Sequence, residues 1–256
     1  FNRKWNLMNE SENLNESIIE SSLQIELFKK SSLVGSFGVL KNEDKFKTNR
    51  TTFEVKIEED KLPEFKNVAE ILTSKSSDLN SKWLRDKGGA RYKVGFLSPF
   101  VNYEAELKTV TRGDSLSQES FRFARLIPGV SFHFKKLAFE FSYETRFDDA
   151  VRGGSFSRSS VTRNQNYKLK FESDKFSLNT DLTFNKKFFT DGDTKREINN
   201  AIARLQGRAE IFNRTIRSSF IYRAMTRMMT RLEPIFIKVQ PGTGNYRYLG
   251  DLNRNG

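Results

Sequence analysis

The sequence contains no cysteine and a single histidine, His133. Without cysteine there is neither a disulfide framework nor a thiolate metal site. One imidazole gives a zinc centre or a Ser–His–Asp triad little to be built from. Long hydrophobic runs are missing as well. Contiguous apolar residues never exceed three, far short of the ~18 that a membrane helix needs. No Walker-type or GxGxxG phosphate loop occurs. The adjacent carboxylates Asp148 and Asp149 stand near Gly153-Gly154 and read as a solvated loop, since a glycosidase pair is defined by three-dimensional separation. These absences predict a protein that is not an enzyme. The chain also has no charged-then-apolar leader at Phe1, and it stops inside the turn-like run Asp-Leu-Asn-Arg-Asn-Gly (251–256). That favours an internal piece of a longer parent over a processed mature chain.

What is present is aromatic and basic. The 256 residues include 24 Phe, 7 Tyr and 2 Trp beside a mean hydropathy of −0.63, and 44 Lys and Arg face 32 acidic residues for a net charge of +12. Many large apolar residues, each flanked by polar ones, is the pattern a half-buried strand produces. Leu137, Phe139, Phe141 and Tyr143 alternate with Ala138, Glu140, Ser142 and Glu144. Phe176, Leu178, Leu182 and Phe184 alternate with polar residues in the same way. Because successive strand side chains point to opposite faces, each segment has one apolar and one polar face. Leu23, Ile25 and Leu27, then Phe53, Val55 and Ile57, repeat the theme earlier.

Strands are expected near 90–111, 120–134, 137–147, 159–172, 176–189, 198–212 and 215–227, about ten in all with those upstream. The connections between them read alternately short (Lys135-Lys136, Ser173–Lys175, Asn213-Arg214) and long (Thr111–Glu119, Asp148–Arg158, Thr190–Glu197). Short turns on one rim and longer loops on the other is the organisation of an outer-membrane barrel, and a Greek-key sandwich has no reason to keep it. The apolar phase slips at Pro99 and at Pro128. A β-bulge at each proline explains the slip, with a tight hairpin as the competing account. Residues 60–89 break the pattern: Phe65, Val68, Ile71 and Leu72 follow helical spacing after Pro63. A helical or irregular insertion is expected there.

The polar faces carry Lys168, Lys170, Arg204, Arg208, Arg217 and Arg223, expected to line a lumen and to pair with Glu172, Asp181 and Glu210. Nucleic-acid binders interleave cations with stacking aromatics. Here the two fall on opposite strand faces, so nucleic acid is not an expected partner. Leu137, Phe139, Phe141, Tyr143, Phe176, Leu178, Leu182 and Phe184 are expected to face lipid. Aromatics near strand ends (Phe134, Phe147, Phe171, Phe188, Phe212) match interfacial girdles. His133 reads as solvated lining. Asp251, Asn253 and Asn255 before Gly256 match the first half of a calcium loop, with an Asn/Gly turn as the alternative. No other cofactor is implied.

FDDAVRGGSFSRSS (147–160) and PGTGNYRYLGDLNRNG (241–256) resemble the strand-and-loop repertoire of very large outer-membrane barrels of Bacteroidota-type bacteria. These include the giant translocon-like barrels associated with gliding motility and type 9 secretion. The resemblance is one of style over roughly residues 85–256, and it implies an outer-membrane location and a parent with more strands. The resulting expectation is all-β: an antiparallel up-and-down meander, an incomplete part of a transmembrane β-barrel. Its partners are outer-membrane lipid, the remaining strands of the parent chain and secretion or envelope proteins. The function expected is the wall of a polar pore or secretion passage. The alternative is a soluble, periplasmic β-sheet module that binds an anionic glycolipid or another polyanion.

Overall fold

A computed structural model describes residues 16–42, 46–60, 62–76, 78–190, 196–211 and 215–226. Every regular element in it is a strand: β1 (Glu16–Phe28), β2 (Ser31–Asn42), β3 (Phe46–Ile57), β4 (Glu64–Ser76), β5 (Asn80–Arg91), β6 (Leu97–Arg112), the two-residue β7 (Ser115–Leu116), β8 (Phe121–Phe134), β9 (Leu137–Arg152), β10 (Ser155–Glu172), β11 (Phe176–Phe189), β12 (Arg196–Ile211) and β13 (Ile216–Met225). They form one sheet in chain order, with β7 a small side pair on β6. All pairings are antiparallel. No pairing joins β1 to β13 among the described residues, so the meander is an open sheet.

Residues 60–89 are not an insertion. They supply β4 and most of β5, paired from Glu64↔Arg91 to Lys75↔Asn80. The helical spacing arises because β4 is apolar on both faces: Ile71 is 44% exposed on one side while its neighbour Leu72 is fully buried on the other. Among the described residues the strands number thirteen against the ten or so expected, twelve of them long and the thirteenth the two-residue β7.

The bulges expected at the two prolines are absent. Before Pro99 the chain reverses in a hairpin. Val94 and Leu97 exchange backbone hydrogen bonds of 2.8 and 3.0 Å around Gly95, whose φ of 62° suits glycine. The segment 90–111 is therefore the end of one strand and the whole of the next. At Pro128 the register does not shift. Leu126↔Thr145 and Gly129↔Ser142 stay in step while Ile127 and Pro128 lack partners on β9. A proline has no N–H to donate, so it interrupts the ladder without adding a residue. The phase slip in β8 is then a true exchange of faces, with Phe121, Phe123 and Ile127 on the side opposite Val130, Phe132 and Phe134. Bulges do occur elsewhere, between Glu26 and Phe28 and between Arg158 and Ser160.

Connection lengths also differ from the expectation. Asp148–Arg158 is not a loop: β9 and β10 continue to a tight turn at Gly153-Gly154, where φ values of 55° and 78° fit a type I′ hairpin. One rim, called here the near rim, carries the connections 29–30, 58–63, 92–96, 135–136 and 173–175. The far rim carries 43–45, 77–79, 113–120, 153–154 and 190–195. Both sets are short, so the alternation of loop length does not distinguish the rims.

Directly paired residues share a face, so the registers assign every strand side chain to one of two surfaces. The first, the apolar face, runs through Phe53, Ala69, Asp86, Ala105, Ala124, Phe147, Val161 and Phe188. The second, the charged face, carries Arg50, Glu70, Arg85, Glu104, Arg125 and Glu144. Burial is lopsided. Leu40, Leu72, Trp83 and Val110, the buried hydrophobics, all lie on the charged face, as does every buried polar strand residue except Ser31 and Asp149. A sheet that buries only one surface is curved around it. The charged face is therefore the concave one, and the small core sits against it near the far rim.

Candidate functional site

The charged face is an ion-pair lattice running across the strands. Arg50 reaches Glu20 at 3.8 Å and also pairs with Glu70, which pairs with Arg85 at 2.6 Å. The Arg85 guanidinium lies 4.3 Å from the Trp83 ring centroid, and Trp83 Nε1 donates to Glu106 at 3.2 Å. Arg125 pairs with Glu104 and approaches Glu144 at 3.9 Å, while Arg146 pairs with Asp148 at 2.8 Å. Alternating signs on neighbouring strands are favourable at directly opposed positions. A concave surface laid out this way is mixed in charge, with its few buried apolar side chains gathered near the far rim.

The six cations expected to line a lumen all lie on this face. Lys168 pairs with Glu140 at 2.9 Å and Lys170 with Glu172 at 2.8 Å. Arg208 pairs with Glu210, which Arg217 approaches at 3.8 Å. Arg204 instead donates to Gln206 at 3.3 Å. It stands directly opposite both Asp181 and Arg223. Leu137, Phe139, Phe141, Tyr143, Phe176, Leu178, Leu182 and Phe184 all lie on the apolar face, where Phe141, Tyr167 and Phe184 form a chain of rings at 5.0 and 6.2 Å.

Aromatics and cations are less cleanly separated than expected. On the charged face, Arg91 covers Phe100 at 4.7 Å and Arg146 covers Phe123 at 4.0 Å. For the second contact the exchange of faces in β8 is the cause, since it puts Phe121 and Phe123 among the charges; Phe100 belongs to β6. These rings are already stacked by cations.

Two polar sites interrupt the apolar face, and neither was legible as a site in the sequence. Asn67 donates to Asp86 at 2.8 Å and is bonded to the Tyr103 hydroxyl, which reaches Asp86 at 3.4 Å. Nearer the far rim, Asp149 is 6% exposed and accepts from both Arg122 and Arg158. The bulge at Ser159 makes that second contact: the shifted register places Arg158 opposite Asp149. Asp148 and Asp149 consequently point to opposite faces and are neither a solvated loop nor a pair that could share a substrate. His133 is exposed on the charged face, and its backbone N–H donates to Phe96 at 2.9 Å. Among the described residues no group of three or more His, Cys, Asp or Glu side chains could hold a metal. Asp251, Asn253 and Asn255 lie outside the described residues, as does Phe212.

At the near rim, Lys30 Nζ meets Asp60 at 2.7 Å. The Lys30 backbone N–H and the Ser31 hydroxyl donate to Glu59 at 2.9 and 3.1 Å, tying two neighbouring turns together. The hydrogen bond and charge of Lys30 hold the Asp60 carboxyl below its ordinary value, and Asp60 raises Lys30 in return.

No protein-family model matches the chain, and no curated protein matches it. Among solved structures it is similar to the ferric citrate transporter FecA in its unliganded form, with 9% identity and a TM-score of 0.49 over 79% of this chain. The chain spans 40% of that transporter's length. It is also similar to the translocator domain of the autotransporter NalP from Neisseria meningitidis, with 14% identity and a TM-score of 0.29, covering 82% of this chain and 81% of that domain.

Proposed function

We propose that the chain is part of the wall of an outer-membrane β-barrel, with the apolar face in lipid and the charged face lining a polar passage. The observation that carries this reading is the height and placement of the apolar band. On β9 it starts at the near-rim turn with Leu137 and ends at Phe147, beyond which the face turns to Asp149. That stretch is about 34 Å of strand. At the usual barrel tilt of ~40° it rises about 26 Å, close to the ~25 Å apolar band of outer-membrane barrels. The strands then run past the band only at the far rim. Outer-membrane barrels project their strands on the external side, so this reading takes the far rim as external and the near rim as periplasmic.

Among the described residues β1 and β13 are edge strands, and because unpaired backbone groups in lipid cost several kcal/mol each, this reading requires further strands against both. A lattice of paired charges suits a hydrated passage that admits solutes without holding any one tightly. Transport or secretion through it, the Bacteroidota-type affiliation and envelope partners extend the same reading. They are supported by the style of residues 147–160 and 241–256.

The test is fractionation of the parent protein followed by gel mobility with and without boiling. The expected result is recovery in the outer membrane with a heat-dependent shift. Recovery as a folded, detergent-free soluble protein would overturn the proposal.

A further inference from the structure

We propose that Lys41, Lys47, Lys75 and Lys82 form a binding patch for the phosphate groups of a phosphorylated glycolipid in the outer leaflet. This rests on the membrane-wall reading above. Lys41, Lys47 and Lys75 are directly opposed on three neighbouring strands, β2, β3 and β4. Lys82 follows on β5, paired with Thr73 two residues from Lys75. Like charges directly opposite one another in a sheet are destabilising. All four lysines are exposed, and among the described residues none of them forms an ion pair.

The rest of the apolar face behaves differently. On its strands beyond the band, Arg122 and Arg158 are answered by Asp149; within the band Lys186 pairs with Glu197, and Arg163, directly opposite Lys186, lies 5.7 Å from the Phe188 ring centroid. Among the described residues, the lysine row is the one group of strand cations past the band on this face with no carboxylate partner. The four side chains line an open concavity of about 740 Å³ together with Asn49, Thr73, Asn80, Thr109 and Thr111, whose amides and hydroxyls are phosphate donors.

Position decides which anion. Lys82 lies two residues beyond Leu84, and Lys75 four residues beyond Ile71, the last apolar side chains of their strands on this face. At ~3.3 Å per residue and the same ~40° tilt, the patch sits about 5–10 Å past the apolar band, the depth of a lipid headgroup. A polyanion travelling through the passage would meet the opposite face. A glycolipid would place its phosphates on the lysines and its acyl chains on Ile71, Leu84 and Leu107 below them.

The experiment uses the full-length parent purified in mild detergent, with diphosphorylated lipid A, the same lipid dephosphorylated, and inorganic phosphate as probes. Binding is read by native mass spectrometry and by the thermal unfolding midpoint. Wild type should bind the phosphorylated lipid at least about tenfold more tightly than the variant Lys41→Gln/Lys47→Gln/Lys75→Gln. Lipid should raise the midpoint of wild type only. Without lipid the Gln variant should unfold at the same temperature or higher, because the like-charge row is relieved. Replacing the same three lysines by Arg should retain binding.

Equal binding by wild type and the Gln variant would overturn the patch. So would equal affinity for the dephosphorylated lipid, or displacement by inorganic phosphate at the same concentration, which would mark a free-anion site. A boiled-versus-unboiled gel run on the same samples separates the two proposals. A heat shift without lipid discrimination sinks the patch alone, whereas no heat shift in wild type sinks the membrane wall on which it rests.

Discussion

Gly88 has no room for a side chain. A Cβ there would stand 2.7 Å from the Lys66 carbonyl oxygen and 2.9 Å from Tyr103 Cε1, and the first of these is backbone that cannot swing aside. Gly88→Ala is therefore expected to destabilise the protein by about 1–3 kcal/mol, read as a lower unfolding midpoint, and to disturb the Asn67–Asp86–Tyr103 cluster beside it. Leu72 makes the opposite case. It is fully buried, so Leu72→Ala should cost about 2–5 kcal/mol through lost burial and the cavity left behind. At the near rim, the depressed Asp60 carboxyl sets a pH dependence. Its folded value lies below its unfolded one, so the stabilising link to Lys30 is present above the unfolded value and lost as pH falls through the folded one. An NMR titration of Asp60 should show a midpoint below that of an unstructured peptide. Lys30→Met should return the midpoint to the peptide value, and an unchanged midpoint would rule out the tie.

At the scale of the element, a bulge and a proline decide what alternation alone could not. The extra residue in β10 brings Arg158 to Asp149, and both arginines then hold one buried carboxylate. Asp149→Ala leaves those arginines facing each other and should lower stability by about 1–3 kcal/mol, discounted for the partial exposure of both partners. The closing strands carry a second consequence. Arg204 and Arg223 are directly opposed on β12 and β13, while Lys168 and Lys170 stand on β10 with carboxylate partners. Replacing Arg204 and Arg223 by Gln should shift the reversal potential of the passage toward cations in planar-bilayer recordings, and an unchanged potential would show that these strands do not line it. The helical spacing of Phe65, Val68, Ile71 and Leu72 misled for a similar reason. β4 is apolar on both faces, and a strand without alternation cannot be told from a short helix by spacing.

Across the whole molecule, one continuous meander separates apolar from charged residues over twelve long strands. The eight apolar residues and six cations singled out by alternation fall on opposite surfaces because period-2 patterning is a direct consequence of strand geometry. The same geometry misplaced the aromatics of β8, since a phase slip reads alike whether a residue is inserted or the faces are exchanged. The lysine patch was out of reach of any linear reading. Lys41, Lys47 and Lys75 are 6 and 28 residues apart in the chain and adjacent only through the registers.

The sequence by itself determined that the chain is all-β, antiparallel and two-faced. Alternation is local, and most strands carry it independently of their neighbours, β4 being the exception. Only the tertiary structure decided the strand count, the hairpin before Pro99, the uninterrupted register at Pro128 and the sharing of Asp149 between two arginines. Each of these depends on which residue stands opposite which, and register is a property of pairs of strands that no single strand encodes.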